Sequence, residues 1–259
     1  MAPSKTKPDI FLLFLGDTHV GSITGLAPAA RCENDGQRRL LEYWQTFIGR
    51  AKSASRGKAF CLMLGGDLVD GIHHASRETW GTYKDQRDAA IELLQPLARQ
   101  ASAIYGLLGT TAHAGEKGDD DRQVCQELGA KTALHTWRLN VGGRRLFWAH
   151  HGAAVSRDVS NEDGGLLADA RRHYELSLRG VEKPDLIVHH HHHFSPDPVT
   201  RHGITAVVAP CWQFPTSYGA RIGPERTPNI GALAWYPVTH TLERWLYDTP
   251  PSYTPLAHR

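Results

Sequence analysis

The chain has 259 residues, 41% of them hydrophobic, a net charge of +2 and 22% charged side chains. That is enough apolar material for one large α/β domain with a buried core, and the charge balance argues neither for a nucleic-acid-coating protein nor for a membrane-surface one. No apolar stretch approaches the ~20 residues that span a bilayer. Met1 to Asp9 lacks the build of a signal peptide, and Cys32, Cys61, Cys125 and Cys211 are too widely spaced for a zinc ribbon or a redox pair. A soluble cytoplasmic protein with free thiols is expected.

Ile10 to Leu15 reads as a first buried strand, and Gln37 to Lys52 as a helix with Leu40, Leu41, Trp44, Phe47 and Ile48 at helical spacing. Phe60 to Leu64 is a second strand. Asp85 to Gln100 repeats the helical spacing, and Ala103 to Leu108 follows as strand. Asp119, Asp120 and Asp121 are placed to cap a helix running through Leu128. Thr136 to Val141 and Arg144 to Ala149 flank Gly142-Gly143 as a hairpin. Gly165 to Arg179 reads as a helix, and a short strand runs through Val188. Ile204 to Ala209, Ile230 to Val238 and Thr241 to Tyr247 are strands. The expected organisation is a single domain over residues 1–248 and a proline-rich surface tail over 249–259.

Several of the apolar runs end in ligand-type residues. Asp17 and His19 follow the first strand, where Gly16 and Gly21 allow a sharp turn. A carboxylate beside an imidazole suits Zn, Fe, Mn, Co or Ni better than calcium. Gly65-Gly66-Asp67-Leu68-Val69-Asp70-Gly71 repeats the arrangement after the second strand. Adjacent strand ends form a crevice in α/β sheets, so Asp17 and Asp67 can share a site, with Asp67 bridging two ions and Asp70 either closing a turn or orienting a ligand histidine. His113 lies in the glycine-led loop from Gly109 to Gly115. His150-His151-Gly152 and the five-histidine run His189 to His193 complete the series.

Asp-x-His, Gly-Asp-x-x-Asp, a glycine-led loop with a histidine, His-Gly and His-x-His, each after a strand and in this order, resemble the calcineurin-like metallophosphoesterase family over roughly Asp9 to Phe194. The resemblance implies two mixed β-sheets packed as a sandwich and flanked by helices. It implies two divalent transition metal ions, manganese favoured among Mn, Fe, Zn, Co and Ni. Asp17, His19 and His193 would hold the first ion, Asp67 would bridge, and His191 with one of His150 or His151 would hold the second.

Two departures stand out. His190 occupies the place where the family usually has glycine. Gly109-Thr110-Thr111-Ala112-His113 replaces the family's Gly-Asn-His-Asp or Gly-Asn-His-Glu, so Thr110 stands in for an asparagine ligand and the histidine is displaced by two residues. The Gly-Thr-x-Ala-His-x-Gly form looks like a variant of phage-encoded members.

By this resemblance, two cations activate a bridging hydroxide for attack on a phosphate ester, and His113 donates a proton to the leaving oxygen. The substrate leans to phosphodiesters, nucleotides or nucleic acid, because Asp70 is not followed by the arginine found in the family's Ser/Thr protein phosphatases. His73 and His74, with Arg77 and Trp80 beyond them, are candidates for lining the substrate cleft. Cys211 to Phe214 and Tyr218 are placed to flank its mouth or pack its rim. Arg171-Arg172 reads as an exposed helix face. No protein partner and no membrane is expected. The competing expectation is an inactive member that keeps metal as a structural or interaction module.

Overall fold

The computed structural model describes residues 10–56, 58–72, 79–115, 118–152, 163–216 and 227–249. Strand β1 is Ile10–Leu15, β2 Ala59–Leu64, β3 Ala103–Leu107 and β4 Ala133–Leu134. These four run parallel, and β10 (Ile230–Tyr236) and β11 (Thr241–Tyr247) extend the sheet antiparallel in the order β11-β10-β1-β2-β3-β4. The second sheet has the order β5-β6-β7-β9-β8, from Thr136–Val141, Arg144–Ala149, Leu186–His189, Ile204–Val208 and Val199–Arg201. β6, β7 and β9 are parallel, while the edge strands β5 and β8 are antiparallel to their neighbours.

Alternation along the strands builds the layers. Phe11, Leu13 and Leu15 of β1 face a core shared with Trp44 and Phe47 of α1 (Asp35–Ala54), Leu93 and Leu97 of α2 (Tyr83–Ala98), and Val124 of α4 (Asp119–Glu127). Leu12 and Phe14 point the other way, joining Met63, Trp148, Val188, Val207 and Trp235 between the sheets. Phe147, Ile187 and Ala206 face Leu166 and Ala170 of α5 (Gly164–Ser177). The result is the expected helix, sheet, sheet, helix sandwich, in which most strands are buried on both faces.

The hairpin strands and β11 form at the expected residues, and the helix ends shift by at most two positions. α1 begins earlier because Asn34 caps it, its side chain accepting from Gln37 N. α2 begins at Tyr83 because Thr82 and Asp85 form a capping box. The acidic start of α4 departs from expectation. Its N-cap is Gly118 in the left-handed conformation, and no aspartate side chain caps it. Asp120 instead pairs with Arg87, and Asp121 turns into the core. The single-turn helix α3 (Thr111–Ala114) and the short strands β4 and β8 complete the sheets and their connections.

Candidate metal centre

The parallel strands deliver their carboxyl ends to one place. Beyond β1 and β2 the two loops zip together, Asp17 N donating to Gly66 O at 2.9 Å, His19 N to Asp67 O at 3.1 Å and Val20 N to Leu68 O at 3.1 Å. β3, β6 and β7 bring in Thr110, His150 and the histidine run. Asp17, His19, Asp67, His191 and His193 all have left-handed backbones, with φ of 49°, 42°, 47°, 74° and 59°. Non-glycine residues enter this region at a cost of about 1–2 kcal/mol each, and such strain clusters at functional sites.

Two sets of ligand atoms result. In the first, His19 Nε2 and His193 Nε2 are 3.1 Å apart, and Asp17 Oδ1 is 3.7 Å from His193 Nε2. His19 Nδ1 sits 3.2 Å from Asp70 Oδ1, which favours the Nδ1–H tautomer and leaves the Nε2 lone pair facing the site. In the second, His150 Nδ1 donates to Gly65 O at 2.6 Å, directing Nε2 to within 3.2 Å of Asp67 Oδ2. His191 Nδ1 is 3.9 Å from the same oxygen. Four triplets, His150-His151-His191, Asp17-His19-His193, His19-Asp67-His113 and Asp17-Asp67-His150, each bring three ligand atoms within 4.8 Å of one another. The buried Oδ1 of Asp17 has no hydrogen-bond partner among the described residues. An orphaned carboxylate oxygen aimed at converging imidazoles is the donor arrangement a divalent cation fits.

The charges point the same way. Burial opposes ionisation of Asp67, but the charge and hydrogen bond of His150 overcome it and hold the carboxyl well below the usual range. Asp17 is likewise lowered against burial, chiefly by His190 and then His150 and His193. Burial pushes His193 down to about 3, and burial with His19 alongside pushes His113 down to about 4. His150, opposite in direction, is raised to about 10 against its own burial by Asp67. Without an ion, the centre therefore combines ionised carboxylates and neutral His193 and His113 with a protonated His150, which gives up its proton when it becomes a ligand.

Three groups brace the ligands. Asp121 accepts from Asp67 N at 3.0 Å, Leu68 N at 2.9 Å and Gly109 N at 2.8 Å, tying two ligand loops to α4. Burial and the nearby Asp67 raise the Asp121 carboxyl to about 7. Thr110 gives its amide to Asp67 Oδ1 at 2.7 Å and its hydroxyl to the same carboxylate at 3.1 and 3.3 Å. A Cβ on Gly109 would lie 2.1 Å from Asp67 Oδ1, so only glycine lets the loops approach this closely. His113 Nδ1 donates to Asp70 O at 2.8 Å, and its ring stands edge-on to His19 with centroids 4.4 Å apart.

The histidine run divides by burial. His191 and His193 face the centre, while His189 and His190 are core residues. His189 Nε2 meets Asp169 Oδ2 of α5 at 2.8 Å, and His190 Nε2 accepts from Trp148 Nε1 at 3.1 Å. The His190 ring lies against Gly65, where a Cβ would come within 2.1 Å of it. That glycine makes room for an imidazole where a glycine was expected.

Motif residues from five strand ends thus meet at one edge of a two-sheet sandwich. The two mixed sheets flanked by helices are the sandwich that the motifs led us to expect. No family model matches the sequence, and no curated protein matches it either. Solved structures similar to this chain include an archaeal phosphodiesterase at 9% identity and TM-score 0.48, covering 92% of this chain and 99% of that one. A hypothetical protein from Pyrococcus horikoshii matches at 11% and 0.49, covering 92% and 89%. Vps29 from Chaetomium thermophilum matches at 12% and 0.46, covering 93% and 96%.

Among the other expected residues, His73, His74, Arg77 and Tyr218 lie outside the described residues, as does the chain from 250 onward. Cys211, Trp212, Gln213 and Phe214 are buried, with Trp212 packed edge-on against Trp44. Arg171 and Arg172 are exposed and pair with Glu175 and Asp169 along α5. Cys32, Cys61, Cys125 and Cys211 are free thiols. No helix among the described residues is long and apolar enough to cross a membrane.

Proposed function

We propose that this chain is a metal-dependent phosphoesterase that hydrolyses phosphate esters, with diesters, nucleotides and nucleic acid as its preferred substrate class. Asp17, His19 and His193 hold one divalent ion, His191 with one of His150 or His151 holds a second, and Asp67 is shared. Manganese is the first choice for the pair, and residues 1–248 are the unit that carries the activity. The convergence of these side chains around Asp17 Oδ1, which has no hydrogen-bond partner among the described residues, carries the reading. Two bound cations supply charge for the phosphoryl oxygens and an acidified water as nucleophile.

The chain's own residues set the geometry for that chemistry. Asp70 and the Gly65 carbonyl fix the tautomers of His19 and His150, and Thr110 and Asp121 hold the Asp67 loop in place. His113, anchored at Nδ1 by Asp70 O, is assigned to move a proton at Nε2. The diester preference rests on Gly71 following Asp70, where the family's protein phosphatases have arginine.

A metal-reconstituted assay with bis(4-nitrophenyl) phosphate and 4-nitrophenyl phosphate tests the reading. Turnover should depend on added metal, favour the diester, and fall in Asp67→Asn by more than the ~10–100-fold typical of losing a ligand's supporting partner. Activity that survives Asp67→Asn contradicts the shared-ligand assignment. Two bound ions with no turnover of either ester would favour a metal-binding module instead.

A further inference from the structure

In a strand, consecutive residues point to opposite faces. Beyond β6 the chain bends, and the consecutive residues His150 and His151 come together, their rings 4.9 Å apart at 86°. The His151 ring is also 4.7 Å from that of His191. One ligand nitrogen from each of the three lies within 4.8 Å of the others. His150 Nε2 and His191 Nδ1 both face Asp67 Oδ2, at 3.2 and 3.9 Å. The Thr110 hydroxyl is directed at the Asp67 carboxylate, where it braces an acceptor.

Resting on the two-ion reading above, we propose that His150 and His151 are both ligands of the second ion, His151 taking the place left by the missing asparagine. The donor set is then three imidazoles and one carboxylate oxygen, against two imidazoles and two carboxylates at the first position. Nitrogen-rich sets of this kind suit zinc, whereas manganese favours oxygen donors. The two positions therefore differ in preference, and the second shifts toward zinc.

The test is metal content, measured by elemental mass spectrometry after loading with zinc and removing excess, followed by titration with a competing chelator. Wild type should hold two ions per chain. His151→Ala should hold one tightly and release the other at least ~10-fold more readily, and His151→Asn, which keeps a ligating amide oxygen, should recover part of the loss. His151 is exposed, so the variants are expected to fold, which circular dichroism checks. Two ions in His151→Ala with chelator resistance equal to wild type would overturn this assignment alone. Fewer than two ions in wild type would overturn the two-ion reading and this assignment with it.

Discussion

Asp67 concentrates the logic of the centre in one side chain. It is buried, left-handed in backbone, and contacted through both oxygens by Thr110 and His150. Its position depends on Asp121, whose three accepted N–H bonds are worth about 1 kcal/mol each. Asp121→Ala should therefore destabilise the metal-free protein by roughly 3 kcal/mol in urea denaturation. A loss below about 1 kcal/mol would show that the clamp contributes little beyond one ordinary hydrogen bond. The ligand-type residues were legible because each group follows an apolar run, and all but the histidine run have a glycine close by. Asp121 lies in the first turn of α4 as expected, but it clamps the ligand loops and does not cap the helix. The signal that could have found it is its spacing with Val124, Cys125 and Leu128, which puts a carboxylate on the buried stripe of α4.

At the scale of elements, periodicity located the long helices and the hairpin, because strand alternation and helical spacing are properties of many residues at once. β4 and β8 span two and three residues, too few to show a period. The meeting of β2 with β7 was also invisible, since nothing local to Gly65 indicates that His190 will lie against it. That contact predicts coupling between the two elements. Gly65→Ala forces a methyl into the imidazole and should cost about 1–3 kcal/mol. In the His190→Gly background the same substitution should cost much less, and a double-mutant cycle by thermal unfolding measures the difference. Additive costs would mean that the ring moves aside freely.

Across the whole molecule, three apolar layers lie between helices and sheets, and ionisable groups trapped among them make stability depend on pH. His173 of α5 is buried beside Phe147, with neither ring nitrogen hydrogen-bonded among the described residues. Burial, with Arg138 and Arg172 adding and Asp169 opposing, lowers its pKa from 6.5 to about 4. A depressed histidine contributes stability that is present above the unfolded pKa and lost as pH falls toward the folded one. Metal-free protein should thus lose roughly 1–2 kcal/mol between pH 7.5 and pH 5 through this residue. His173→Leu should flatten that part of the melting-temperature profile, and an unchanged profile would remove His173 as its source. The left-handed ligand positions set a further constraint at this scale. His191 is partly exposed and has φ of 74°, a conformation glycine adopts without penalty. His191→Gly should raise the melting temperature of the metal-free chain while reducing its metal content. Selection for heat resistance alone would then erode the centre one ligand at a time, so persistence of this histidine in a thermally selected library would have to come from demand for the bound ion.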